Sequence, residues 1–238
     1  MKLICNGNEL SDAVGKVIKA TAIRSTNPIL EGIKLKAEDE CLTLTATDLE
    51  LAIEKKIKAD VKIEGEIVVA GRFFSEFVKK LTNEQIEISK SDANDTIVIK
   101  YTDSEGVLQS MPVNEFPELK KIENPEIFKL KQNDFREIID KTIFSAAYDD
   151  TRPILKGILV EIADKKITAI ALDGYRMAIC SKQLKESSAS LSFIVPARSL
   201  AEVSKILDQD EEDLTIYVQK NYIMLEINNY FRDHNVEK

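Results

Sequence analysis

Residues 27–33 read NPILEGI, and the chain repeats this stretch almost unchanged as RPILKGI at residues 152–158. The two copies share Pro-Ile-Leu-x-Gly-Ile at an offset of 125 positions. The same offset aligns LTLTATD at residues 42–48 with ITAIALD at residues 167–173. A chance match of a few residues would not keep its register over such a span, so the pattern indicates an internal duplication.

The duplication predicts two homologous domains, over residues 1–122 and 126–238. With one inserted residue, IVVAGR at residues 67–72 falls on FIVPAR at residues 193–198, so the match extends well beyond the first stretch. The polar residues 120–125, KKIENP, are the predicted hinge between the domains.

Each repeat predicts the same order of strand, helix, strands, helix and strands. The first helix of each repeat has apolar residues at helical spacing, namely Leu10, Ala13, Val14, Val17 and Ile18 in one copy and Phe135, Ile138, Ile139, Ile143 and Ala146 in the other. Asn133 is the expected N-cap of the second copy. Alternating runs such as residues 42–46 predict strands, and Asp173-Gly174 predicts a tight turn. The predicted fold class is α+β, with two helices packed on a β-sheet layer in each domain.

The two repeats differ at their ends. After residues 97–99 the first repeat continues through residues 106–111 and closes at Phe116-Pro117. The second repeat reaches residues 223–227 and then runs into the polar stretch 228–234, where no matching last strand is evident. We therefore expect the second domain to lack its closing strand.

Composition excludes several classes of protein. The 238 residues are 44% hydrophobic, yet no apolar run approaches the ~20 residues that span a bilayer, and the N-terminus has no signal-peptide pattern. Three cysteines without CxxC spacing predict reduced thiols and a cytoplasmic location. The only histidine, His234, lies in a polar tail, so neither a metal site nor a histidine-based catalytic site is expected. No glycine-rich nucleotide motif is present, and no cofactor is expected.

Positive charge is concentrated in the predicted helices. The net charge of −8 argues at first sight against nucleic acid. The predicted helices 9–21, 72–81, 134–147 and 198–207 carry charges of 0, +2, −1 and +1, and Arg24 brings this group to +3. The rest of the chain therefore carries −11. This distribution is compatible with ordinary solvated helix faces or with a surface that attracts a polyanion.

In order and spacing, the repeated residues resemble the bacterial β sliding clamps, the processivity factors of the replicative DNA polymerase. The matching segments are Arg24 with residues 27–30, then 42–50, 68–74 and 116–117, and in the second repeat Arg152, Leu155, 173–178 and 195–198. The resemblance extends to about Ile227. It implies the DNA-clamp fold and matches clamp domains one and two of the family's three, with the third clamp domain absent.

The family's ring surrounds duplex DNA with its helices, so the resemblance implies a set of DNA-contacting cations. The candidates are Arg24, Arg72, Lys79, Arg136, Lys141, Arg152, Arg198 and Lys205. Arg24 and Arg152 are the strongest candidates because they lie in matched loops. Asp149 and Asp150 are adjacent to Arg152, so an ordinary ion pair is the alternative for that residue.

The resemblance also implies a cleft that captures short peptide tails. Its half in the second domain maps onto Leu155, Leu172, Gly174, Tyr175, Arg176 and Met177. Tyr175 stands where the family often has His, and Leu172 where it often has Thr, so we expect an altered peptide preference. For Leu155 and Met177 the alternative is an ordinary place in the hydrophobic core.

The implied partners are duplex DNA, the DNA polymerase III alpha subunit, the clamp loader and other proteins with a clamp-binding motif, with no membrane. For the full-length family a head-to-tail homodimer is expected. The implied role is that of a non-catalytic subunit of DNA-directed DNA polymerase III in DNA replication. One alternative is a truncated clamp fragment or interaction module that cannot form a closed ring. Another is a hydrolase that uses Asp48 and Asp173, two repeat equivalents at predicted strand turns.

Overall fold

The computed structural model describes residues 1–81, 85–91, 95–119, 122–149, 151–184, 190–207, 212–219 and 222–227. The chain divides into two compact units, Met1–Leu119 and Lys120–Lys238, while the domain limits 1–122 and 126–238 stay a prediction. The predicted tail 228–234 and residues Lys120 and Lys121 of the predicted hinge lie outside the described residues.

The first unit is an eight-stranded closed barrel with two helices on its core. Its elements are β1 (Lys2–Asn6), α1 (Gly7–Val17), β2 (Gly32–Glu38), β3 (Cys41–Thr47), β4 (Ala52–Ile63), β5 (Gly65–Ala70), α2 (Gly71–Val78), β6 (Gln85–Ser91), β7 (Thr96–Tyr101) and β8 (Ser104–Met111). The strands pair antiparallel in the order β1-β4-β3-β2-β5-β8-β7-β6, and β6 returns to β1. Strand β8 closes the barrel because it pairs with β7 on one side and, at its end, with β5.

The second unit repeats this element order without a described equivalent of β8. Its elements are β9 (Glu126–Lys131), α3 (Gln132–Asp140), β10 (Gly157–Ala163), β11 (Lys166–Leu172), β12 (Met177–Gln183), β13 (Leu191–Pro196), α4 (Ala197–Ser204), β14 (Asp213–Gln219) and β15 (Tyr222–Ile227). The described strands form two sheets, β12-β11-β10-β13 and β15-β14-β9.

The PILxGI stretch forms a 3-10 turn that runs directly into a strand in each unit. Proline starts the turns Pro28–Glu31 and Pro153–Lys156, where its fixed φ suits the first helical position. The glycine that follows allows a close approach to the neighbouring strand. A Cβ atom on Gly32 would lie 2.6 Å from Val68, and one on Gly157 would lie 2.3 Å from Ile194.

Each unit has its own hydrophobic core, and the helices contribute the predicted stripes. Leu10, Ala13, Val14 and Val17 of α1 are buried against the strands of the first unit, as are Phe135, Ile138 and Ile139 of α3 in the second. Burying one such Leu, Ile or Phe side chain contributes about 1.5–3 kcal/mol, so these stripes fix both helices to their sheets. The predicted α+β class is confirmed.

The helices are shorter than the sequence predicts. The helix expected over 134–147 ends at Asp140, because the Thr142 hydroxyl donates to the carbonyl of Ile138 at 2.7 Å and a separate 3-10 turn follows at Ile143–Ser145. Asn133 is not the N-cap, since it lies inside α3 and Lys131 occupies the cap position. In α1 the matching role is filled by Asn6, whose side chain accepts from the backbone N–H of Asn8 at 2.9 Å.

Candidate functional site

The four DNA-contacting candidates on α2 and α4 form two matched pairs, one residue of each pair in each unit. Arg72 and Arg198 are the second residues of α2 and α4, and both are exposed. Lys79 and Lys205 cap the C-terminal ends of the same two helices. Arg72 lies 3.4 Å from Glu76, and Lys205 lies 2.7 Å from Glu202, so these cations belong to exposed pairs on the helix surface. Such pairs are weak and can exchange an acidic partner for a phosphate.

The two loop candidates, Arg24 and Arg152, are both exposed. Neither has an ion-pair partner among the residues that the structure describes, although the lowered pKa of Asp149 includes a small contribution from Arg152. The larger cause of that low pKa is Thr151, whose hydroxyl and backbone N–H both donate to Asp149. The alternative that Asp149 neutralises Arg152 is therefore not supported by a contact, and Asp150 lies outside the described residues.

The two candidates on α3 have other contacts. Arg136 is half-buried, donates to the carbonyl of Leu207 at 3.4 Å and lies 3.7 Å from Asp140, so it joins the end of α4 to α3. Lys141 donates to Glu137, one helical turn earlier. Both side chains therefore have structural roles inside the second unit in addition to their predicted contact with DNA.

A cluster of four charged residues, Asp134, Glu137, Lys141 and Lys182, was not predicted. Lys182 of β12 reaches across to α3, where its ammonium lies 2.5 Å from Glu137 and 2.9 Å from Asp134. Lys141 donates to the other oxygen of Glu137. Hydrogen bonds from Lys141 and then Lys182 lower the pKa of Glu137 to about 2. Hydrogen bonds to Glu137 and then Asp134 raise the pKa of Lys182.

Because the folded-state pKa of Glu137 lies below the ~4.3 of a free glutamate, its ionised form stabilises the second unit above that pH. We expect this contribution to disappear as the pH falls from about 4.3 towards about 2. Thermal unfolding followed between pH 5 and 2 should show a weaker pH dependence for Glu137→Gln than for the unchanged chain. Glu76→Gln, which removes the exposed carboxylate paired with Arg72, is the control and should keep the full pH dependence.

The helix limits change where the positive charge lies. Within their observed bounds α1, α2, α3 and α4 carry −1, 0, −2 and 0. The positive charge sits instead at the C-terminal ends of the helices and just beyond, at Lys19, Lys79, Lys80, Lys141 and Lys205. Cations there also interact favourably with the helix dipole. Lys80, an exposed neighbour of Lys79, is a further candidate that its position in the sequence alone did not single out.

The second predicted site is built around the turn between β11 and β12. The carboxylate of Asp173 accepts from the backbone N–H groups of Tyr175 at 2.9 Å and Arg176 at 3.0 Å, and Gly174 takes a positive φ of 93°. These backbone contacts, together with the guanidinium of Arg176, lower the pKa of Asp173. The predicted tight turn is present, and it holds the backbone of Tyr175 and Arg176 in a fixed geometry.

The turn presents apolar side chains to solvent. Tyr175 is 100% exposed and Met177 is 62% exposed, so neither side chain is part of the core. The guanidinium of Arg176 lies 5.9 Å from the ring centre of Phe144, which is also exposed and places the turn beside the 3-10 turn Ile143–Ser145. Phe144 is a lining residue that sequence reasoning missed.

Leu172 directly precedes this turn, and Leu155 lies in the 3-10 turn Pro153–Lys156. Leu155 accepts a backbone hydrogen bond from Ala147 at 2.9 Å, and Leu172 pairs with Met177 across β11 and β12. Both leucines are half-buried. A row of half-buried and exposed apolar residues with one arginine is the kind of surface that binds an extended peptide.

Asp48 and Asp173 have the same structural role in the two units. The carboxylate of Asp48 accepts from the backbone N–H groups of Glu50 at 3.0 Å and Leu51 at 2.8 Å, as that of Asp173 does in its own turn. Both aspartates therefore stabilise β-turns between equivalent strands, which accounts for their presence without a catalytic role.

Other chemical features are few in the described part of the chain. No group of three or more His, Cys, Asp or Glu residues there is placed to hold a metal ion. Cys5, Cys41 and Cys180 are free thiols, and burial raises the pKa of Cys5 to about 12. None of the described helices is long and apolar enough to cross a membrane.

The chain matches two protein-family models in succession. The model for the N-terminal domain of the DNA polymerase III beta subunit matches residues 1–120, and the model for its central domain matches residues 129–236. The two halves identified from the internal repeat thus correspond to two different domains of one family.

Curated relatives of this chain are named beta sliding clamps. The protein from Halalkalibacterium halodurans is 37% identical over 227 residues, which are 91% of this chain and 60% of the relative. The protein from Bacillus subtilis is 32% identical over 238 residues, which are 96% of this chain and 63% of the relative. The chain therefore spans about 60% of the length of the curated relatives it matches.

Solved structures show the same fold. The DNA polymerase sliding clamp from Bacillus subtilis matches with a TM-score of 0.88 at 30% identity, over 98% of this chain and 67% of that chain. The DNA polymerase III beta subunit from Thermotoga maritima matches with a TM-score of 0.87 at 30% identity, over 96% and 62%. The predicted DNA-clamp fold is confirmed.

Proposed function

The chain belongs to the family of bacterial DNA polymerase III beta subunits, and we propose that it supplies two domains of a sliding clamp. Such a clamp encircles duplex DNA and tethers the replicative polymerase to it. The protein itself makes and breaks no covalent bond. Its contribution is to hold DNA without recognising a sequence.

The main support for this proposal is that α2 and α4 each have one cation near the start and one at the end, at equivalent positions. Arg72 and Arg198 start the two helices, and Lys79 and Lys205 end them. The duplication has kept these charges at equivalent positions, at an offset of 126 residues. Guanidinium and ammonium groups attract phosphates whatever the base sequence, and salt screens the attraction.

The acidic remainder of the chain has a role in the same mechanism. With a net charge of −8, the protein surface as a whole repels DNA. Attraction is then confined to the regions where cations are concentrated. A clamp needs this contrast because contacts that are too numerous would stop it from sliding.

We also propose that the surface formed by Leu155, Leu172, Gly174, Tyr175, Arg176 and Met177 binds peptide tails. Its partners would be the DNA polymerase III alpha subunit, the clamp loader and other proteins with a clamp-binding motif. Exposed Tyr175 and Met177 would be covered by apolar peptide side chains, and Arg176 would donate to a peptide carbonyl or carboxylate. A head-to-tail homodimer of the full-length protein would close the ring.

A retention assay tests the clamp function. The part of the Bacillus subtilis sliding clamp that this chain does not match is fused after Ile227, and the product is loaded onto nicked circular DNA. We expect it to stay on the circle at a salt concentration that abolishes simple binding, and to leave when the circle is cut. Equal loss from circular and linear DNA would contradict the proposed function.

A further inference from the structure

The guanidinium of Arg176 is held in two ways by the second unit. Its Nε donates to the carboxylate of Asp173 at 2.9 Å, and its central carbon lies over the ring of Phe144, 5.9 Å from the ring centre. An aromatic ring attracts an arginine that lies over its face at this distance. The ion pair uses the Nε–H group, while the two terminal nitrogens carry four further N–H donors.

The ring of Phe144 is carried by an anchored turn. Phe144 is the middle residue of the 3-10 turn Ile143–Ser145, in which the backbone N–H of Ser145 donates to the carbonyl of Thr142 at 3.0 Å. Ile143 packs against the core of the second unit, and Ser145 is fully buried. Because both neighbours are anchored, the ring between them is held at a fixed place beside that core.

The fold of the repeated unit does not require the pair of Phe144 and Arg176. At the offset of 125 residues, Lys19 stands in place of Phe144. Leu51 stands in place of Arg176. The carboxylate of Asp48 nevertheless accepts from two backbone N–H groups of its own turn, as its equivalent in the second unit does. The turn therefore forms without the aromatic–arginine pair, which is a property of the second unit alone.

The ion pair with Asp173 orients the arginine and leaves part of it available. The Oδ1 atom of Asp173 accepts from the backbone N–H groups of Tyr175 and Arg176, and its Oδ2 atom accepts from the guanidinium. The backbone contacts are the main cause of the lowered pKa of Asp173, and the side chain of Arg176 is a smaller one. The aspartate thus fixes one edge of the guanidinium and Phe144 covers one face, so the edge with the terminal nitrogens is the one that can bind a ligand.

We propose that Phe144 is a positioning residue, whose ring holds the guanidinium of Arg176 so that its terminal N–H groups meet an acceptor on a bound peptide. The inference rests on the proposed binding of peptides around Tyr175. Two parallel N–H donors fit a planar acceptor such as a carboxylate or a peptide carbonyl. An arginine that is already stacked and ion-paired loses less side-chain freedom on binding than a mobile one. Phe144 acts through Arg176 and need not touch the peptide.

Nuclear magnetic resonance of the 238-residue chain with isotope-labelled arginine tests the positioning without a peptide. Arg176→Ala identifies the Nε–H signal of Arg176. We expect this signal to be displaced by the ring current of Phe144, to lose that displacement in Phe144→Leu and to keep it in Phe144→Tyr. Phe73→Leu, which changes an exposed phenylalanine on α2, is the control and should leave the signal unchanged. A signal that is the same in Phe144→Leu and in the unchanged chain overturns the proposal.

Peptide binding tests whether the ring acts through the arginine. The probe is a peptide that carries the C-terminal residues of the DNA polymerase III alpha subunit, measured by isothermal titration calorimetry. We expect Phe144→Leu to weaken its binding about 3-fold, and to change it less than about 1.5-fold when Arg176 is already alanine. Phe144→Tyr should bind like the unchanged chain.

The double substitution separates positioning from the simpler roles of the ring. A ring that touches the peptide itself, or that only stabilises the fold, would weaken binding equally with and without Arg176. Equal losses in the two backgrounds therefore overturn this inference and leave the proposed peptide site intact. If the peptide does not bind to the unchanged chain, the proposed peptide site is wrong and this inference falls with it.

Discussion

Replacing Arg24, Arg72, Arg152 and Arg198 together by alanine should weaken the binding of this chain to duplex DNA on the order of 100-fold at 50 mM salt. These four arginines are exposed and lie on matched helices and loops of the two units. Each substitution would remove one contact with the phosphate backbone. Electrostatic contacts of this kind account for nearly all sequence-independent binding. Fluorescence anisotropy of a labelled 30-base-pair duplex measures the change.

The control for this prediction removes the same charge elsewhere. The control residues are exposed lysines on strands β2 and β4 of the first unit rather than on a helix. They are Lys36, Lys56, Lys58 and Lys62. Their joint replacement by alanine makes the net charge equally more negative. We expect less than about a threefold loss of affinity, because only general repulsion changes. Equal losses for the two variants would show that the helices and loops have no special part in binding.

Met177→Asp should abolish detectable binding of a peptide that carries the C-terminal residues of the DNA polymerase III alpha subunit, a loss of at least ~30-fold. Met177 is exposed in this chain but would be covered by the peptide, and a carboxylate buried there without a partner is unfavourable by several kcal/mol. Arg176→Ala should weaken binding less, by about 5-fold to 10-fold, since it removes one charge-assisted hydrogen bond. Isothermal titration calorimetry at low salt is the measurement.

Ile127→Asp provides the comparison for the peptide site. Ile127 is an exposed apolar residue on β9, in the other sheet of the second unit. Peptide affinity should not change in this variant. If Ile127→Asp and Met177→Asp behave alike, the peptide binds by unspecific apolar contact and the assignment of the site around Tyr175 is wrong.

The internal repeat predicted most of the fold because it aligns residues that the fold uses twice. Pro28 and Pro153, Gly32 and Gly157, and the two turn aspartates can be matched from the sequence alone. Their structural roles are the same in both units. Strand β8 covers the extra residues 106–111 of the first repeat, but the closed barrel was not predicted, since the sequence indicated only a sheet layer.

Other features could not be predicted, because they depend on contacts between distant parts of the chain. Lys182 lies on a strand 45 residues after Glu137, and nothing in the local pattern of either residue indicates that they meet. The end of α3 depends on a hydroxyl of Thr142 that bonds to the helix rather than continuing it. All four predicted helices extend past the observed helix ends. The sequence therefore predicts positive charge along the helices, whereas the structure has it at their C-terminal ends.

The salt dependence of duplex binding tests the central claim most directly, namely that the two repeats attract DNA by charge alone. Affinity is measured between 25 and 200 mM salt on two duplexes of unrelated sequence. We expect equal affinities for the two sequences and a slope of log affinity against log salt that becomes shallower by about 3 to 4 in the four-arginine variant, since each lost phosphate contact accounts for about 0.9. A preference for one sequence, or an unchanged slope in that variant, would contradict the account.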